Sequence, residues 1–237
     1  MSRTDSGRAF VLVIIGSAFA AGALYLVQVN WVDPWLSSRW GSAIFRMLRM
    51  ILVYVVPAVW WLRRYRSNES VTKELGMHLS KDRATFVLGS GIGLYCIALA
   101  AFLLWPPQMC GFTFWSSNSD CTTASLSDWL IVLPTICVMA MVTDLWTRGF
   151  VLLQAADRWG EAPAIALQNA LWILLHLYEL ELLAPSMGWA GAILLALFLG
   201  FLGDIIALRE RSVVGLMAGH AILNIGWASA LALGFIL

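Results

Sequence analysis

Polar side chains with chemical potential sit inside otherwise apolar runs in the second half of this 237-residue chain, at spacings that let them work together. Asp144 and Arg148 are four residues apart, His220 and Asn224 are four apart, and His176 precedes Glu179 by three. On a helix such separations put two side chains on one face about one turn from each other. Asp144 and Arg148 can therefore form an ion pair, and His176 can share a face with Glu179. A carboxylate, two imidazoles, a guanidinium and an amide are the parts that activate water and stabilise an oxyanion. Asp144, Arg148, His176, Glu179, His220 and Asn224 are accordingly the candidate site residues. Gln168 and Asn169 read as interhelical contacts, and Asp204, close to Arg209 and Arg211, reads as a solvated helix end.

The elements that must position these groups follow from composition. The chain is 60% hydrophobic and 12% charged, with a mean hydropathy of +0.79, whereas soluble domains run at about 45–50% apolar and about 25% charged. Apolar runs near the ~20 residues needed to cross a bilayer recur along it. The expected fold is all-α: a polytopic membrane bundle of about seven transmembrane helices, forming one integral membrane domain over 1–237. The expected spans are about Arg8 to Val29, Ser42 to Leu62, Ala84 to Trp105, Asp128 to Ala155, Ala162 to Leu183, Gly188 to Leu208 and Ser212 to Leu237. The first is longer than a signal core of ~7–15 residues and is read as an uncleaved helix.

Arg63, Arg64, Arg66, Lys73, Lys81 and Arg83 crowd one loop, and Arg158, Arg209 and Arg211 fall on the same side. Loops rich in Lys and Arg stay cytoplasmic, so the N-terminus is expected inside and the C-terminus outside an integral cell membrane of the bacterial inner-membrane kind. From that side Asp144 lies about 11 residues in, His176 about 14 and His220 about 8. At ~1.5 Å per residue all three reach roughly 12–21 Å depth, so they can meet in one layer. The opposite loop, Pro106 to Ser127, lacks Lys and Arg and contains Cys110 and Cys121, which could pair in an oxidising compartment. Cys96 and Cys137 are expected as small buried residues. Trp60, Trp61, Trp105, Trp129, Trp159 and Trp189 are expected as interfacial anchors. A net charge of +1 and the lack of a basic tract interleaved with aromatics exclude nucleic-acid binding.

Taken singly, each intramembrane His or Asn is ordinary packing glue, worth on average ~0.6 kcal/mol. Four helices contributing at one depth weaken that reading, because an Asp or Arg at a helix centre costs about 2.5–3.5 kcal/mol to insert.

Between about Val142 and Gly226 the sequence resembles the CAAX prenyl protease and bacteriocin-processing (CPBP or ABI) family of intramembrane proteases. The resemblance rests on Thr143-Asp144-Leu145-Trp146-Thr147-Arg148, on Trp172-Ile173-Leu174-Leu175-His176 and on His220-Ala221-Ile222-Leu223-Asn224. These match the family's Glu-Glu-x-x-x-Arg, Phe-x-x-x-His and His-x-x-x-Asn motifs in order, with a family-like core over about 128–237. The resemblance implies a helical bundle with a polar cavity. It implies His176 as an acid/base partner of a water-activating carboxylate, His220 with Asn224 as the oxyanion pair, and Arg148 holding the carboxylate end. The family's first Glu falls on Thr143, which has no carboxylate. Asp144 takes its place only if the helix rotates or a local bulge shifts the register; otherwise Glu179 takes over, or the site is inert.

The expected function is thus an intramembrane endopeptidase that cleaves near the C-terminus of a membrane-associated protein or peptide, with the lipid bilayer as its setting. The alternative is an inactive relative serving as a binding, immunity or scaffold protein. No cofactor is expected; the alternative is zinc, since a carboxylate and two His can hold it with a site open for water. A transporter is disfavoured because no pair of interrupted helices in matching halves is visible.

Overall fold

The computed structural model describes residues 3–32, 39–66, 70–104 and 126–232, and among them every regular element is helical. We number the helices α1 (Arg3–Val27, extended by wide π turns over Gln28–Val32), α2 (39–65), α3 (Val71–Glu74), α4 (Ala84–Leu104), α5 (126–159), α6 (Glu161–Leu175), α7 (Leu177–Glu210) and α8 (Val214–Ala232). Five stretches are long and apolar enough to cross a bilayer, within α1, α2, α4, α5 and α7. Two shorter apolar helices, α6 and most of α8, complete an integral membrane bundle. The fifth expected span does not run through to Leu183: it ends at Leu175, and His176 leaves the helical region at φ −107°, ψ 15°. Gly188, at φ +74°, then kinks α7 at the point where the sequence separates two spans, a conformation that favours glycine.

The core explains why α5 is the central element. Its wide-turned stretch Leu145–Leu152 is buried throughout. Trp61 and Phe150 close on Phe10 at centroid distances of 5.4 and 5.3 Å, and Tyr54 meets Trp146 at 4.6 Å. Trp61 is therefore a core residue, 0% exposed, and not an interfacial anchor. Trp60, Trp159 and Trp189 are exposed as an aromatic belt requires; Trp105 and the Trp129 side chain lie outside the described residues. Cys96 is exposed and not buried as its place in a span suggests, while Cys137 is half-buried. Cys110 and Cys121 lie outside the described residues.

Helices α4 and α8 touch backbone to backbone. A Cβ at Gly215 would fall 1.9 Å from the Val87 carbonyl oxygen, and one at Gly91 would fall 2.1 Å from the Gly215 carbonyl carbon. Small residues that admit such an approach drive association in lipid, where apolar burial between helices gives no advantage. The approach has a consequence for chemistry, since it brings Tyr95 of α4 against His220 of α8. Gly215→Leu is therefore expected to separate the two helices at a cost of about 1–3 kcal/mol. Thermal unfolding in detergent checks this, with Gly89→Leu, where a side chain meets open space, staying near the parent.

At one end of the bundle the charged loops are tied together. Asp157 accepts from Arg66 at 3.0 Å and from Arg211 at 2.9 Å, and Glu210 accepts from Arg83 at 3.2 Å. The basic loop residues thus share an end, although exposed pairs of this kind each add only ~0–1 kcal/mol.

Candidate active site

Helix α5 supplies the ion pair that its sequence spacing suggests. Arg148 Nη1 donates to Asp144 Oδ1 within one turn, and both side chains are 0% exposed. The wide turns begin directly after Asp144, so a local change of helical register does occur at the motif. Four of the five guanidinium donors are used. Nε donates to Asp204 Oδ1 at 3.3 Å, Nη1 also donates to Tyr95 Oη at 3.2 Å, Nη2 reaches the Gly200 carbonyl at 3.4 Å, and the flat face lies 4.1 Å from the Trp172 ring. A buried cation is tolerable only when its donors are satisfied in this way.

The Asp144 carboxylate is equally occupied. Tyr95 donates to its oxygens at 3.3 and 3.2 Å, and His220 Nδ1 stands 2.9 Å from Oδ2. A carboxylate can only accept, so Nδ1 carries the hydrogen and the opposite nitrogen, Nε2, is the one left for chemistry. Tyr95 stacks on the His220 ring at 4.7 Å and 10°. His176 is fixed by the same logic: its Nδ1 lies 2.8 Å from the Trp172 carbonyl, so Nδ1 donates and Nε2 keeps its lone pair. The two imidazoles stack at 6.1 Å between centroids.

Beside them is a cavity of about 280 Å³. Tyr95, Thr143, Trp172, His176, Glu179, His220 and Asn224 give it a polar wall, and the remaining lining is mostly apolar, from Phe102, Met139, Leu183 and Leu199 among others, with Arg49 also on it. Asp144 is not on the cavity wall; Thr143 is, with its hydroxyl turned back to the Met139 carbonyl at 2.9 Å. The carboxylate on the wall is Glu179, whose Oε2 is buried without a hydrogen-bond partner among the described residues. Asn224 reaches the Ile136 carbonyl with Nδ2 at 3.3 Å, which leaves one amide hydrogen over. No group of three or more His, Cys, Asp or Glu suited to a metal ion occurs among the described residues.

The six candidate residues are therefore brought together, in two tiers. His176, Glu179, His220 and Asn224 face the cavity, and Asp144 and Arg148 lie behind His220. Two members of the cluster escape the sequence reading. Tyr95 is one, a hydroxyl set in an apolar span. Asp204 is the other: it is 0% exposed, not a solvated helix end, and accepts from Asn169 Nδ2 at 2.8 Å as well as from Arg148. Asn169 makes the interhelical contact expected of it, and Gln168 is buried with its amide unpartnered among the described residues.

Buried acid, guanidinium and imidazole groups are thus joined by hydrogen bonds inside the apolar bundle, and His220 carries the cluster to the cavity wall. Residues 125–226, somewhat under half of the chain, match the family model described as Type II CAAX prenyl endopeptidase Rce1-like. No curated protein and no solved structure matches the chain.

Proposed function

We propose that the protein is an intramembrane endopeptidase that cleaves near the C-terminus of a membrane-associated protein or peptide, with Glu179 as the carboxylate that activates water. The observation that carries this reading is that Glu179 and His176 line the same cavity as His220 and Asn224. A water between Glu179 and Nε2 of His176 donates a hydrogen to each and turns a lone pair toward the substrate. Its oxygen adds to the scissile carbonyl carbon while its proton passes to Glu179. The second amide hydrogen of Asn224 stabilises the resulting oxyanion, as does Nε2–H of His220 when that ring holds a proton, with Asp144 balancing the charge. Collapse breaks the C–N bond, and the proton taken up by Glu179 passes to the leaving amine.

Asp144 in this scheme is a positioning group, because both its oxygens are engaged away from the cavity. The family description points to a prenylated C-terminal motif as substrate, and the largely apolar cavity lining suits a lipid-bearing peptide. The test is cleavage of an S-farnesylated peptide ending in Cys-aliphatic-aliphatic-X, beside its unprenylated counterpart, by the purified protein in proteoliposomes.

A second reading, an inactive relative acting as a binding or scaffold protein, is favoured by Thr143 alone. Failure of the parent to cleave any membrane-delivered peptide, with the peptide still bound, supports it. The proposed chemistry needs no metal, so cleavage is expected to survive a chelator titration unchanged. Activity lost to the chelator and restored specifically by zinc overturns that part.

A further inference from the structure

The hydrogen-bonded chain that ends at His220 begins two helices away, at residues the hydrolytic scheme does not use. Asn169 on α6 donates to Asp204 on α7, Asp204 accepts from Nε of Arg148 on α5, Arg148 holds Asp144, and Asp144 holds His220 on α8. We propose that Asp204, oriented by Asn169, is a positioning residue of the active site: it fixes the guanidinium of Arg148 and, through it, the Asp144 carboxylate against which His220 is seated.

Charge counting separates this role from simple neutralisation. Arg148 and Asp144 already cancel, so the ion pair does not require a second carboxyl group beside it, and burying a polar group is costly unless its hydrogen bonds are made. Geometry supplies its role. Asp144 and Arg148 are on one helix, so their pair alone fixes the guanidinium relative to α5 only. Asp204 and Asn169 tie its other edge to α7 and α6, and Trp172 of α6 covers its face. Gly203 keeps the seat open, since a Cβ there would fall 2.6 Å from Nη2. The guanidinium is thereby held by α6 and α7 as well as by α4 and α5, and the position of His220 Nε2 follows from it.

The inference rests on the hydrolytic reading, so its test includes a readout independent of cleavage. The chain has three His residues, which makes the His220 Nδ1–H proton resonance assignable in labelled protein in detergent micelles, through its loss in His220→Gln. Asp204→Ala is expected to displace that resonance and to lower kcat by about ten- to a hundredfold, with KM within about twofold. Asp204→Asn keeps an oxygen for Nε and should recover part of both. Should Asp204→Ala fail to fold, Asn169→Ala, which frees one oxygen of Asp204, shifts both readouts in the same direction by less. A folded variant whose resonance and kcat match the parent overturns the proposal. A parent that cleaves nothing refutes the hydrolytic reading instead, and the resonance alone then decides whether Asp204 positions His220.

Discussion

Glu179→Gln is expected to lower cleavage of the farnesylated peptide by about 10²–10⁴-fold, the usual contribution of a positioned acid/base, while leaving unfolding in detergent near that of the parent. The expectation follows from where the carboxylates are. Asp144 is surrounded by Arg148, Tyr95 and His220, so its oxygens are taken. Glu179 is on the cavity wall with an oxygen that no described residue engages. Gln has nearly the same shape and cannot accept the proton. His176→Ala should cost a similar factor, because it removes the second acceptor that orients the water, and His220→Ala should remove the part of the oxyanion stabilisation that Asn224 does not supply. Initial rates across these variants settle the assignment: if Glu179→Gln cleaves like the parent and Asp144→Asn does not, the working carboxylate is Asp144.

Arg148→Ala is expected to have the largest effect on stability. The guanidinium compensates two buried carboxylates, Asp144 and Asp204, at membrane depth. Removing one partner of a buried ionic cluster costs about 3–5 kcal/mol, because the other charges remain without a counter-ion. Here three helices also lose a shared contact. Arg148→Lys should recover only part of the loss, since an ammonium cannot present the fork that meets Asp144, Asp204 and the Gly200 carbonyl together. Reversible unfolding in detergent measures this directly. A loss below about 1 kcal/mol in Arg148→Ala, the scale of an exposed pair, would mean that the cluster is hydrated and that its burial carries no weight.

The membrane bundle and most of the site could be read from the chain because each rests on local spacing. Twenty-residue apolar runs announce spans, and the four-residue interval of Asp144 and Arg148 survives as an ion pair inside α5. What spacing does not report is the approach of distant helices. Tyr95 joins the cluster only because Gly91 and Gly215 let α4 and α8 touch. Asp204 reads as a wet helix end from its neighbours Arg209 and Arg211, yet α7 continues to Glu210, which places it about 9 Å inside the helix end and against α5 and α6. Trp61 looked interfacial for the same reason, being close to Arg63 and Arg64, while its ring turns inward onto Phe10 and Phe150. The break at His176 was also hidden. No glycine or proline marks it.

Cleavage in proteoliposomes prepared in H₂¹⁸O, followed by mass spectrometry of the products, tests the central claim most directly. Attack by a water bound at His176 and Glu179 predicts one ¹⁸O in the newly formed carboxyl terminus, a product made by the parent and lost in Glu179→Gln and His176→Ala. New termini formed at the same rate by the parent and by both variants would contradict it.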